Sequence, residues 1–170
     1  MTLPRLTFVL GGARSGKSAY AESLLAGSSH RAYIATAQAF DQEMAARIAQ
    51  HRLDRGEDWR TIDAPIDLCA AIGSLDGAAA LLDCVTVWIG NLMHEERDVS
   101  AEIDNLVDYL AAAPGPLVVV SNEVGLGIVP DNAMARRFRD FAGRLNQKLA
   151  AIAPRVVLVT AGIPQILKDE

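Results

Sequence analysis

A chain of 170 residues with 51% hydrophobic and 22% charged residues has the size and composition of one globular domain, spanning residues 1–170, and its apolar content excludes disorder. The formal net charge of −5 argues against a nucleic-acid partner held by a basic surface, but not against a small anion, whose pocket needs only a few cations. No stretch approaches the ~18 apolar residues of a membrane span, and Cys69 and Cys84, in apolar surroundings and outside any C-x-x-C, read as buried reduced thiols of a cytoplasmic protein.

In chain order, Thr7–Leu10 is a short apolar run ending in glycine, the pattern of a buried strand. Ser18–Leu25 reads as helix with Ala19, Ala21, Leu24 and Leu25 inward. Ala32–Ala35 is a second strand. Asp41–Arg55 is a helix capped by Asp41, with Met44, Ile48 and Leu53 facing the core. Trp59–Ile62 is a short strand, and Pro65 opens a helix over Ile66–Ile72. Ala79–Cys84 is a buried strand, followed by a helix over Val85–Met93. Ser100 caps a helix running to Ala112, with Ile103, Leu106, Val107 and Leu110 at core spacing. Leu117–Val120 is the most strand-like run of the chain, Asn132–Ala153 a long amphipathic helix, and Val156–Thr160 the closing strand. This alternation predicts an α/β domain: a mostly parallel central sheet with helices on both faces. The Gly-rich segment Asn122–Asp131 is a long loop, and such loops are often functional.

Gly11, Gly12, Ala13, Arg14, Ser15, Gly16, Lys17 and Ser18 match G-x-x-x-x-G-K-S/T, placed after a strand and before a helix as the mechanism requires. Glycines let successive backbone N–H groups point into one concavity, and the helix N-terminus adds partial positive charge. Lys17 would reach the β- and γ-phosphates of a nucleoside triphosphate and Ser18 would ligate Mg²⁺. Arg14 would either touch phosphate or point to solvent. Asp83, at the end of an apolar strand, supplies the metal-side carboxylate beside Ser18, the alternative being a cap of the next helix.

Three histidines occur, His30, His51 and His94, in no zinc-binding pattern. Arg47, His51 and Arg55 follow one another at four-residue spacing and share a helix face. A solvated basic face is one reading. The other is nucleophilic: neutral imidazole is a good nucleophile near pH 7, and flanking guanidiniums bind polyphosphate. His30 and His94 read as surface residues, and Arg136, Arg137, Arg139, Arg144 and Lys148 as a solvated helix face. Asn122 and Glu123 follow the 117–120 strand, where they either serve a ligand at the sheet edge or simply close a turn.

Four segments together carry a resemblance: GGARSGKS, then YIATAQ at 33–38, MAARIAQHRLDRGEDWRT at 44–61, and SNEVGLGIVPDN at 121–132 with the helix after it. The chain resembles the bifunctional adenosylcobinamide kinase/adenosylcobinamide-phosphate guanylyltransferase family of cobalamin biosynthesis over nearly its whole length. That resemblance implies a P-loop NTPase (RecA-like) α/β fold and a homotrimer. It implies two activities: phosphorylation of the aminopropanol hydroxyl of adenosylcobinamide with ATP or GTP, and transfer of GMP from GTP, through an enzyme histidine, to adenosylcobinamide phosphate. By the same resemblance the histidine maps to His51, with Gln50 where some members have a second histidine. Nucleotide contacts map to Gly11–Ser18, to Ala35, Thr36 and Ala37, to Arg52, Leu53, Asp54 and Arg55, and to Asp63 and Asp83. Some members carry Glu at the position of Asp83. The rival readings are a P-loop kinase of another small molecule, without a covalent nucleotide, and a non-catalytic nucleotide switch.

Overall fold

The computed structural model describes residues 3–39, 42–56 and 58–170; Asp41, the expected cap of the second helix, and the side chains of Met44, Arg47, Asp54 and Arg55 lie outside the described part. In chain order the elements are β1 (Leu6–Gly11), α1 (Lys17–Leu24), β2 (Arg31–Ala35), α2 (Gln42–Arg55), β3 (Trp59–Asp63), α3 (Leu68–Gly73), β4 (Ala79–Asp83), α4 (Val85–His94), α5 (Val99–Ala112), β5 (Leu117–Asn122), α6 (Ala133–Ile152), β6 (Arg155–Thr160) and β7 (Ile163–Asp169).

The strands form one sheet in the order β3-β2-β4-β5-β1-β6-β7. All neighbours pair parallel except β6 and β7. Strand residues alternate between two apolar layers, as a sheet covered on both faces requires. Leu6, Phe8, Ala80, Leu82, Leu117 and Val119 join the large core under α3, α4, α5 and α6. Val9, Ala79, Leu81, Val118, Val120 and Val157 pack with Ala21 and Leu25 on the α1 side. The expected architecture, a mostly parallel sheet with helices on both faces, is therefore present, with one strand, β5, inserted between the strand that leads into the glycine-rich loop and the strand that ends in Asp83.

Several local expectations are corrected. Ala19 is exposed, because α1 buries only the narrow stripe Lys17, Ala21, Leu25 at four-residue spacing. Leu53 is 75% exposed, because it lies round α2 from half-buried Ile48. The helix after Pro65 starts only at Leu68, since the Asp67 carboxylate accepts from the Ala70 N–H and sets the cap there. Likewise Asp98, not Ser100, caps α5 by accepting from Ala101. Cys69 is half-buried, whereas Cys84 is buried, and both are free thiols. Val156–Thr160 does not close the sheet: β7 returns antiparallel beside it. Its turn residues Ala161 and Gly162 both have positive φ, the geometry of a tight hairpin turn. β7 leaves Ile163, Ile166 and Leu167 exposed, so no buried apolar alternation marked it in the sequence. Among the described residues no helix is long and apolar enough to cross a membrane.

Candidate active site

Pairing register brings the carboxyl ends of the inner strands to one level. Ala35 pairs with Asp63 on one side and Asp83 on the other, and Gly11 pairs with Asn122 and with Val159. This edge of a parallel sheet is where doubly wound proteins bind ligands.

The P-loop rises from β1 at this edge. At Gly11 a Cβ atom would stand 2.5 Å from Ser15 Oγ and 2.6 Å from the Val159 carbonyl, so the loop closes only around glycine. Gly16 takes φ +92°, and Gly162 of the β6–β7 turn donates its N–H to the Ser15 carbonyl at 2.7 Å, bracing the loop from behind. Lys17 is 8% exposed and its Nζ donates to the Gly12 carbonyl at 3.0 Å, folded over the loop. Ser15 Oγ is buried without a partner among the described residues. A loop with a buried unpartnered hydroxyl and an ammonium over it has the donors that phosphate oxygens accept from. Arg14 is exposed, at φ +55°. Gly12 and Ala13 are exposed at the tip.

Beside the loop a cleft of about 250 Å³ is lined by Ser18, Ala35, Thr36, Ala37, His51, Arg52 and Asp83. These seven expected site residues come from the end of β2 and the loop after it, β4, α2 and the start of α1, and only the tertiary fold brings them together. Leu53 and Asp63 line an adjoining wider groove that shares Ala37, Ile48 and Arg52 with the first. Arg52 Nη2 lies 2.7 and 2.9 Å from the two oxygens of Asp63, tying α2 to the end of β3.

The cleft also holds residues that sequence reasoning missed. Tyr33 Oη donates to Asp83 Oδ2 at 2.9 Å, orienting the half-buried carboxylate. A strand tyrosine reads as core until its partner is seen. Thr36 is fully buried, and its hydroxyl donates to the Cys84 carbonyl at 2.8 Å and accepts the Cys84 N–H at 3.0 Å. Asn91 Nδ2 donates to the Thr36 carbonyl at 2.8 Å. The ends of β2 and β4 are thus locked to each other and to α4. The Cys84 thiol lines the cleft, but burial, with Asp83's charge adding to it, pushes its pKa up to about 11, so it stays a neutral thiol.

Among the described residues no three His, Cys, Asp or Glu side chains converge into a metal site. One serine hydroxyl and one carboxylate, Ser18 and Asp83, share the cleft. Two oxygen donors suit Mg²⁺, which keeps several waters and takes its remaining ligands from substrate phosphates.

A second cleft, about 660 Å³, reaches the P-loop at Ala13 and is lined also by Val87, Gly90, His94, Glu123, Val124 and Phe138. Two arginines expected on a solvated face are engaged here: Arg139 donates to the Gly125 carbonyl at 2.8 Å, and Arg136 to those of Pro130 and Asp131, because the 122–131 loop folds back over the first turns of α6. Lys148 pairs with Asp104 across α5 and α6. His30 and His94 are exposed, as expected.

The profile of the cobinamide kinase / cobinamide phosphate guanyltransferase family, CobU, matches residues 7–167. The chain belongs to this family. Its CobU-family relatives include the bifunctional adenosylcobalamin biosynthesis proteins CobU of Escherichia coli K12, 43% identical, covering 93% of this chain and 97% of that one, and CobP of Pseudomonas aeruginosa, 45% identical, covering 95% and 96%. The corresponding CobU of Salmonella typhimurium is 42% identical, with coverage of 93% and 97%. Solved structures share the fold. A protein of Pyrococcus horikoshii OT3 superposes with TM-score 0.57 at 9% identity, covering 99% of this chain and 88% of that one. A solved ATPase domain superposes with TM-score 0.51 at 7% identity, covering 93% and 70%.

Proposed function

We propose that this CobU-family chain is a bifunctional cytoplasmic transferase in which one nucleoside triphosphate site serves two chemistries: phosphorylation of adenosylcobinamide, and guanylylation of the resulting phosphate through His51. The observation that carries this reading is the single cleft that gathers Ser18, Asp83 and His51 at the mouth of the P-loop. A kinase without a covalent nucleotide has no use for an imidazole there.

In the kinase step the loop N–H groups and Lys17 hold the triphosphate and stabilise charge on the transferred γ-phosphoryl group. Ser18 and Asp83 would hold Mg²⁺ together with the phosphates, and the ion would supply charge neutralisation there. In the second step a ring nitrogen of His51 attacks the α-phosphorus of GTP. A P–N bond forms, the α–β P–O bond breaks, and pyrophosphate leaves. A phosphate oxygen of adenosylcobinamide phosphate then attacks the same phosphorus, the P–N bond breaks, and the imidazole is restored. Two displacements replace one difficult transfer. Arg52 steadies the helix that presents His51, and Ala35, Thr36, Ala37, Leu53 and Asp63 form the wall against the nucleoside. The enzyme works as a homotrimer, in keeping with the family it belongs to.

Intact-mass measurement after incubation with GTP and Mg²⁺ tests the reading. A single GMP adduct is expected on the wild-type chain and none on His51→Ala. An adduct of equal yield on His51→Ala overturns the assignment.

A further inference from the structure

The second cleft lies outside the mechanism above, and its chemistry differs from the first. Its wall is largely apolar, from Val87, Gly90, Val124 and Phe138, and it opens at Ala13, the tip of the P-loop. The loop that leaves this wall at Val124 carries further exposed apolar residues, Leu126 at 91% and Ile128 at 97%. Glu123 is the carboxylate among the described lining residues.

Glu123 is fixed against the phosphate loop by backbone and side-chain bonds. Its N–H donates to the Gly11 carbonyl at 3.1 Å, one residue beyond the Gly11–Asn122 pair. Its Oε1 accepts the Gly125 N–H at 2.5 Å, which leaves Oε2 for a ligand. Gly125 permits this pose, since a Cβ there would stand 2.7 Å from Oε1. Behind it a buried polar chain holds the end of β5. The Asn122 N–H donates to Thr86 Oγ1 at 2.6 Å, Thr86 and Ser121 hydroxyls are 3.0 Å apart, Ser121 donates to Asn146 Oδ1 at 2.7 Å, and Asn146 Nδ2 donates to the Asn122 carbonyl at 3.3 Å. A carboxylate held this firmly beside a phosphate loop, where like charge opposes it, calls for a role.

From this we infer that the apolar cleft is the subsite of the alcohol acceptor in the kinase step and that Glu123 is its general base. The inference rests on the kinase half of the proposed function. The hydroxyl oxygen of the acceptor attacks the γ-phosphorus, an O–P bond forms, the β–γ P–O bond breaks, the nucleoside diphosphate leaves, and the hydroxyl proton passes to Glu123 Oε2. The apolar walls take the hydrocarbon around that hydroxyl. The nucleotide cleft and the acceptor cleft meet at Val87, which lines both, and each touches the P-loop segment, at Ser18 and at Ala13, so donor and acceptor come together there.

Steady-state phosphorylation of cobinamide by ATP tests this with Glu123→Gln, which keeps the shape and an acceptor for Gly125. General-base catalysis contributes about 10²–10⁴-fold, so kcat is expected to fall at least about 100-fold, with KM for cobinamide changed less than about threefold. A kcat within about threefold of wild type overturns the assignment, as does a loss confined to KM. Thermal stabilisation by Mg²⁺–GTP confirms that the variant folds and binds nucleotide. Should it be lost, Glu123→Asp replaces it: a folded aspartate variant with wild-type kcat overturns the base role, and one slowed at least tenfold with KM unchanged supports it. Gly90→Leu probes the cleft itself, because the nearest described atom to a Cβ there is Phe138 Cε2 at 3.9 Å, leaving room for a side chain to enter. It is expected to raise KM for cobinamide at least tenfold, and an unchanged KM overturns the subsite. Failure of the wild-type chain to phosphorylate cobinamide would instead overturn the proposed function.

Discussion

Arg52 reaches across from α2 to hold both oxygens of Asp63 at the end of β3, at 2.7 and 2.9 Å. One turn of the same helix carries His51 into the nucleotide cleft. Among its described side chains α2 has none buried, and Ile48 is half-buried, so this ion pair is a main tether of a lightly packed helix. Both partners are substantially exposed, and such pairs contribute roughly 0.2–1 kcal/mol. Asp63→Asn is therefore expected to leave the melting temperature within a few degrees of wild type. It should nevertheless slow formation of the His51–GMP adduct severalfold. A double-mutant cycle with Arg52→Gln checks it, since additive effects on the adduct rate would mean the pair does not act as a unit.

Lys17 is the cation folded over the P-loop, with its Nζ on the Gly12 carbonyl. Lys17→Ala is expected to lower cobinamide phosphorylation by at least about 100-fold, the scale of a lost electrostatic contact to the transferring group. It should also remove most of the thermal stabilisation by Mg²⁺–GTP. Wild-type turnover in this variant would take the P-loop out of the mechanism.

Gly11→Ala should act through shape alone. The added methyl meets Ser15 Oγ at 2.5 Å and the backbone carbonyl of Val159 at 2.6 Å, and the latter has little freedom to move. Overpacking of this kind costs about 1–3 kcal/mol. Denaturant unfolding should show that loss, and GTP affinity should fall with it as the loop opens. Unaltered unfolding and affinity would show that the loop tolerates a wider turn.

Tyr33→Phe removes the hydroxyl that orients Asp83 and nothing else of similar size. A lost bond to a carboxylate costs about 1.5–3 kcal/mol at most, and less where water replaces it. The Mg²⁺ concentration needed for half-maximal adduct formation is expected to rise about tenfold. A metal titration unchanged from wild type would place the metal away from Asp83.

The two thiols differ in environment. Burial raises both, and Cys84, buried beside Asp83, is pushed up to about 11. The thiolate is the reactive form, so at pH 8 only about one thousandth of Cys84 is competent to react. A disulfide reagent at pH 8 should modify half-buried Cys69 first and Cys84 only on unfolding in denaturant. Peptide mapping that finds Cys84 modified early in the native protein would contradict its placement.

Elements with strong local chemistry were legible in the residues alone. Apolar runs specified β1, β2, β4, β5 and β6, since they pack on both faces, and the expected helix from Asn132 is present as α6, with the Asn132 side chain as its cap. The P-loop was legible because glycine spacing and a lysine before a helix are a local requirement of phosphate binding. Contacts between segments distant in the chain came only with the fold. Tyr33 meets Asp83, and Thr36 meets the Cys84 backbone, only because β2 lies beside β4 in register, and no local pattern encodes a crossover. β7 escaped notice because an exposed edge strand needs no buried alternation, its backbone bonds to β6 being enough to order it. Glu123 became a candidate base only when the insertion of β5 beside β1 put it against Gly11. Residue types fix which chemistry is available, but the distances at which that chemistry acts come from strand order and register, which are properties of the whole chain.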